Sequence, residues 1–302
     1  LKNSAVSAAL PKVSKIGALY AVLAYTAWGI LPLYWKLFGH IPALEVLSHR
    51  IIWSMVFLTA LLVFQQRGSE VYQLARSPKT LSALLLTTVL ISFNWGFFIY
   101  SIAIDHVVEA SLGYYINPLV SVLLGAVFLK ERLNRGQTIA VVLVGVGVTN
   151  FVAQFGHIPW IALGLAVSFA LYGLLRKLIP VTPLVGLTVE TGLATPIALI
   201  FIEHLAIGGT GHLGINVWFT ALFIGCGVVT SVPLLWFNNA AKQLRLSTLG
   251  FFQYLAPSLQ LLLGVYLYHE PFTLTHAVTF ALIWSALVIY SVTSLRTRQR
   301  SV

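Results

Sequence analysis

Arg50 and Glu190 are ionisable residues set in apolar sequence, L-S-H-R-I-I-W-S and L-T-V-E-T-G-L. Charge at depth in hydrocarbon is costly, and residues that carry it usually face a bundle interior or water. Two readings of the pair stand side by side. In one they line a cavity, Arg50 meeting a substrate carboxylate or another acceptor and Glu190 meeting a cation or carrying a coupling proton. In the other they bond to backbone and neighbouring side chains and fix helix packing.

Neutral polar and aromatic residues are the commoner material of a small-molecule pocket. The candidates are Tyr25, Trp28, Asn94, Trp95, Tyr100, Tyr114, Tyr115, Asn117, Ser168, Tyr172, Gln253 and Tyr254. Taken singly, each is as well explained by an interhelical hydrogen bond or a lipid-facing ring. They concentrate around two prolines, Pro118 and Pro257, and Asn117 directly precedes the first. A proline inside a helix removes a backbone hydrogen bond and clashes with the preceding turn, which membrane helices tolerate when neighbours or cavity water satisfy the freed carbonyls. Both prolines are therefore candidate hinges as well as candidate kinks.

The elements that must position these residues are membrane spans. With 58% hydrophobic and 9% charged residues in 302, the chain lies far from a soluble domain, which carries about 25% charged residues. About 20 apolar residues cross a bilayer core, and ten such runs are present, at 16–37, 43–64, 80–103, 107–129, 137–155, 160–178, 183–202, 215–237, 246–268 and 274–295. The first is longer than the apolar core of a signal peptide and is expected to stay as a span. Sixteen of the 18 Lys and Arg fall in segments that alternate onto one side, the exceptions being Lys36 and Arg50. Such a bias marks the cytoplasmic side, so both termini are expected there. The net charge of +10 reads as topology rather than as a nucleic-acid footprint, because the basic residues are dispersed in short loops.

The stretch around Pro118 recurs near the end of the chain. Aligning Pro118 with Pro257 also places Gly125 on Gly264 and Glu131 on Glu270. Five spans per half is an odd number, so the second copy must run through the membrane in the opposite sense. The K-E-R-L-N-R segment after span four is basic, while its counterpart H-E-P-F-T-L-T-H has no Lys or Arg. The expected fold is an all-α polytopic membrane protein of ten transmembrane helices, arranged as two inverted five-helix repeats at 1–157 and 158–302. Inverted repeats with interrupted helices are a transporter signature.

Other ionisable residues read as structural. Glu45 and His49 share a helix face by their i, i+4 spacing. Glu109 suits a helix N-terminus, whereas Glu131 and Glu270 are expected to close their spans at the unfavourable negative end of the dipole. Gly125, Gly145, Gly147 and Gly264 are expected to permit close helix packing. Cys226 has no second cysteine, which excludes an internal disulfide or a cysteine-based metal site. No Walker-type stretch, H-E-x-x-H or G-x-S-x-G occurs, which speaks against an ATPase or a familiar hydrolase.

E-A-S-L-G-Y-Y-I-N-P-L with G-A-V-F-L-K-E-R, the later L-R-L-S-T-L-G-F-F-Q-Y-L-A-P, and the early A-Y-T-A-W-G-I-L-P-L-Y-W-K with E-V-L-S-H-R-I-I-W-S closely resemble the RarD group of the EamA family. That family lies within the drug/metabolite transporter superfamily. The resemblance covers nearly the whole chain. It implies residence in the bacterial inner membrane and a central cavity lined mainly by spans one, three, four, six, eight and nine. It also implies movement of small metabolites, often outward, without ATP hydrolysis. The group carries a chloramphenicol-sensitivity label that does not establish a physiological substrate. The expected activity is secondary-active or facilitative transport of a small polar or zwitterionic, amino-acid-like or drug-like metabolite by alternating access. A membrane receptor or scaffold and a polytopic enzyme are the alternatives. The partners expected are the substrate and the bilayer, with a coupling proton and a homodimer left open, and neither cofactor nor metal is expected.

Replacing Pro118 with Ala is expected to slow cycling more than it weakens equilibrium binding. Transport rate and ligand affinity measured on the same purified variant check this, and unchanged kinetics would reduce the proline to a packing detail.

Overall fold

Several helix starts are written into the chain by proline. Pro78 and Pro183 are the first residues of their helices, where the missing N–H would have no partner in any case and φ is already set. Pro42 and Pro159 directly precede theirs. Asn216 caps another by accepting the Phe219 N–H at 2.8 Å.

The computed structural model describes residues 15–128, 130, 133, 135–244 and 252–299. Among these the helices are α1 (Lys15–Lys36), α2 (Ala43–Phe64), α3 (Gly68–Ala75), α4 (Pro78–Ala103), α5 (Val107–Phe128), α6 (Arg135–Phe155), α7 (Trp160–Leu178), α8 (Pro183–Ile207), α9 (Val217–Gln243), α10 (Leu255–Leu262) and α11 (Leu274–Gln299). A π-helical turn, Leu263–Leu267, extends α10. Eight of them, α1, α2, α4, α5, α6, α8, α9 and α11, are long and apolar enough to cross a membrane. Two shorter apolar stretches, Trp160–Arg176 and Leu255–Leu267, fall at the expected sixth and ninth spans.

Helix α3 was not among the expected elements, because an eight-residue stretch between basic residues reads as a loop. It is amphipathic. Leu74 and Val71 join Leu62, Leu84, Ile179 and Val185 in one apolar cluster. Arg67 grips Glu70 through two bonds of 2.6 and 2.8 Å and reaches the Thr182 hydroxyl at 2.7 Å. Its guanidinium holds the exposed Glu70 carboxyl below the usual carboxylate range.

The ninth span is also corrected. Pro257 does not lie mid-helix: α10 begins at Leu255, so the proline sits in its first turn, after a turn at Gln253 and Tyr254. A proline clashes with the carbonyl four residues before it, which here is Gln253, and the break falls there. Pro118 has no such effect, since α5 runs through it without interruption. Glu131 lies outside the described residues, as do Leu249 and Gly250, which the sequence repeat aligns with Leu112 and Gly113.

Helix contacts follow a paired pattern. Matching α1, α2, α4, α5 and α6 in order to α7, α8, α9, α10 and α11, the contact of α1 with α9 corresponds to that of α7 with α4. Likewise α5 with α7 corresponds to α10 with α1, and α2 with α9 to α8 with α4, while α2–α8 and α6–α11 correspond to themselves. Glycine permits close approaches at several positions, two of them at contacts of α5. A Cβ on Gly113 would come within 2.7 Å of the Ala162 carbonyl oxygen, and one on Gly264 within 2.8 Å of Val108 Cγ2. Gly147 faces α11 at ordinary contact distance, but Gly145 faces open space and contributes nothing to packing.

Three carboxylates fasten elements to which they do not belong. Glu270 accepts the Val107 and Val108 N–H groups at 2.6 and 2.7 Å, at the start of α5. The expected unfavourable dipole is thereby corrected, because the carboxylate lies against the positive end of another helix. Glu109 accepts the Ile161 N–H in the first turn of α7 at 3.0 Å and lies 3.0 Å from His106 Nδ1. Glu45 takes the backbone N–H and Nδ1 of His212 at 2.7 and 2.8 Å, so its partner is not His49. Lys36, one of the two exceptions to the charge bias, is paired with Asp105 and lies 5.2 Å from the Tyr268 ring centroid.

Glu270→Gln leaves one acceptor oxygen for two N–H groups and removes the charge at the helix start. It is expected to lower stability by about 1–2 kcal/mol, read as thermal unfolding in detergent together with faster hydrogen exchange at Val107 and Val108.

Candidate functional site

Arg50 projects from α2 into a setting that stacks its charge and leaves it unneutralised. It is 5% exposed, and its guanidinium carbon lies 5.0 Å from the Trp35 ring centroid and 4.2 Å from that of Trp95. Nε is buried without a protein partner, and among the described residues no carboxylate pairs with it. Further buried atoms on α1 and α2 are unpartnered: Trp35 Nε1, on the ring that stacks against Arg50, and on α2 His49 Nε2, Trp53 Nε1 and Ser54 Oγ, the last of these one helical turn beyond Arg50. Cation–π contacts are worth about 0.5–2 kcal/mol, whereas taking an ion out of water costs several kcal/mol even after relaxation. Stacking therefore does not offset burial, and Arg50 is left in need of an acceptor.

Glu190 is placed similarly on α8. Arg50 is seven residues beyond Ala43 and Glu190 seven beyond Pro183, the first residues of α2 and α8. Its surroundings differ in kind. Thr87 and Tyr172 donate to the carboxylate at 2.6 and 3.1 Å, and Arg176 Nε lies 3.7 Å away. The Thr88 hydroxyl reaches its backbone carbonyl at 3.4 Å. The carboxylate is 1% exposed and charge-balanced, and it knits α4, α7 and α8 together. Arg50 and Glu190 make no ion pair with each other.

The amides cross-link helices. Asn94 donates to the Leu165 carbonyl at 3.1 Å and to Ser168 Oγ at 2.9 Å, and Asn117 donates to the Ala166 carbonyl at 3.0 Å. Tyr25 and Trp28 form a ring cluster with Phe237, and the Trp28 carbonyl accepts from Gln260 at 3.2 Å. Tyr115 stacks on Tyr254, shares a hydrogen bond with Ser258 and packs on Trp284. Tyr114 meets Phe98 and Phe169 edge-on. Gln253 is half-buried in the turn before α10. Tyr100 is 41% exposed and joins Phe97 and Trp160 in a ring cluster.

Trp35, Thr87 and Arg176 are neighbours of the two candidate charges that sequence reasoning missed. Arg176 reads as a cytoplasmic loop charge because Lys177 adjoins it. Its i, i+4 spacing from Tyr172 was the available signal, since that places both on one face of α7. Its guanidinium packs over Gly186, where a Cβ would fall 2.1 Å from Nη1. Among the described residues no group of three His, Cys, Asp or Glu is placed to hold a metal ion.

An all-helical, multi-pass membrane protein with a buried, unneutralised cation between two tryptophans invites comparison with membrane carriers. The sequence model of the EamA-like transporter family matches residues 15–152. An uncharacterized transporter of Vibrio cholerae is 49% identical over 284 residues, covering 94% of each chain. Protein RarD of Escherichia coli is 45% identical, over 96% of this chain and 98% of its own, and the uncharacterized transporter YojE of Bacillus subtilis 44%, over 95% and 97%. A solved crystal structure with 18% identity superposes with a TM-score of 0.58, over 90% of this chain and 96% of the other, a likeness of fold alone. The chain belongs to the EamA-like transporter family.

Glu190→Ala strands Arg176 in the protein interior and is expected to lower stability by about 3–5 kcal/mol. Glu190→Gln keeps an acceptor for Thr87 or Tyr172 and is expected to lose less. Thermal unfolding of the two variants side by side checks the ranking.

Proposed function

We propose that this transporter carries a small polar or zwitterionic metabolite across the bacterial inner membrane, outward, by alternating access around Arg50. The carrying observation is the guanidinium itself, buried against Trp35 and Trp95 without a counter-charge among the described residues. A side chain kept for packing would have been given a partner, as Glu190 was given Arg176. The ten spans form two inverted five-helix halves, 1–157 and 158–302, with both termini cytoplasmic. The paired helix contacts support this arrangement, because the contacts that cross between halves recur under exchange of the halves.

Within this reading Glu190 serves as a fastening rather than as a proton carrier, because Arg176, Thr87 and Tyr172 already occupy its carboxylate. Pro257, at a helix break, is the better placed of the two candidate hinges. Rings such as Trp95 offer the apolar wall against which the non-polar part of a metabolite rests.

Counterflow in proteoliposomes tests the reading. Vesicles preloaded with unlabelled amino acids or chloramphenicol are expected to accumulate the labelled compound transiently above its equilibrium level. Arg50→Gln is expected to reduce that rate roughly tenfold or more at normal membrane insertion. A normal rate in the variant removes Arg50 from the site, and lack of any overshoot across the panel argues against a carrier of these solutes.

A further inference from the structure

Resting on the carrier reading above, we infer that the cargo presents a single carboxylate to Arg50, and that the protein exchanges such monoanions faster than it moves them in one direction. The inference begins with the types of the unpartnered atoms. Arg50 Nε and Trp35 Nε1 are donors that cannot accept, as is Trp53 Nε1 on α2, while Ser54 Oγ can donate and His49 Nε2 donates in one tautomer. A cargo group that satisfies the first two must be an acceptor, and only an anionic acceptor also cancels the charge. One guanidinium balances one negative charge. Among the described carboxylates, Asp105 is engaged with Lys36, Glu45 with His212, Glu109 with Ile161, Glu270 with Val107 and Val108, Glu70 with Arg67 and Glu190 with Arg176, and Glu203 is exposed near the end of α8. None of them pairs with Arg50.

The kinetic consequence follows from burial. An empty carrier must reorient with an uncompensated cation in a low-dielectric interior, whereas a loaded one reorients with a neutral pair. The loaded form crosses the lower barrier, so a monoanion on the far side accelerates release. The flat walls of Trp35 and Trp95 favour a cargo whose carboxylate is joined to a planar or apolar body.

Two measurements on the purified full chain decide the matter. The first needs no ligand. Arg50→Met removes an uncompensated buried charge at similar volume, so its thermal midpoint without added solute is expected to rise by about 2–4 °C. Arg50→Gln is the companion variant. A lowered midpoint in both, or failure of both to fold, makes the guanidinium a structural support and overturns the inference. The second compares phenylacetate, indole-3-acetate and pyruvate with their amides as stabilisers. At least one acid is expected to raise the wild-type midpoint where its amide does not, with that rise lost in Arg50→Met. Equal stabilisation by acid and amide overturns the anion assignment while leaving the carrier reading intact. In proteoliposomes, with Arg50→Met vesicles subtracting passive leak, exchange of the stabilising acid is expected to exceed its net efflux roughly tenfold. Equal rates overturn the exchange mechanism. Absence of any protein-dependent flux, with acid binding intact, counts against the carrier reading and not against the anion site.

Discussion

Ionised groups cannot be left bare in a medium with little water, and much of this structure is an answer to that constraint. The acidic side chains near the helix ends do not cap the starts of their own helices. Glu270 takes two amides of α5, Glu109 takes one of α7, and Glu45 takes the backbone of the α8–α9 connection at His212. Each arrangement satisfies a carboxylate and an otherwise unpaired N–H together, and each ties segments that are distant in sequence. Lys36 is answered by Asp105 and Glu190 by Arg176. Measured against this consistency, Arg50 stands out as a buried charge with rings for neighbours and no acceptor.

Arg50 and Glu190 differ in what surrounds them. Both residues stand the same distance from the start of their helices, and both are buried. Around Glu190 the neighbouring helices supply a threonine, a tyrosine and an arginine, whereas around Arg50 they supply tryptophans. The prolines diverge similarly. Pro118 is absorbed by a continuous α5, while Pro257 follows a break. Two positions alike in helix register thus differ through what lies opposite them, a charge-balanced joint at Glu190 and an unpaired guanidinium at Arg50.

Much of the helical framework was legible in the chain because a bilayer imposes a length that few apolar runs reach by chance. Helices α2 and α7 have the expected boundaries, where Pro42 and Pro159 mark their starts. Helix α3 was not legible, since eight residues with a narrow apolar stripe carry too little periodic signal to distinguish them from a loop. The site was legible in part. Arg50 and Glu190 announced themselves as charge in apolar sequence, but their partners lie on other helices. Glu270 follows the end of the ninth span as expected, but the helix start that its carboxylate meets lies on α5 and gives no local signal. Local spacing predicts neighbours on one helix and is silent about the helix packed against it.

The reach of Glu270 bears on how the chain is assembled. The amides of Val107 and Val108 wait for a partner 163 and 162 residues further along, whereas Ile161 meets a Glu109 that was made 52 residues earlier. A ribosome therefore delivers α5 to the bilayer with its first turn unfinished, and only after almost the entire polypeptide has emerged does the missing acceptor arrive. The start of α7 has no such delay. A nascent chain truncated before residue 270 lacks the acceptor for these two amides however long it is given to fold.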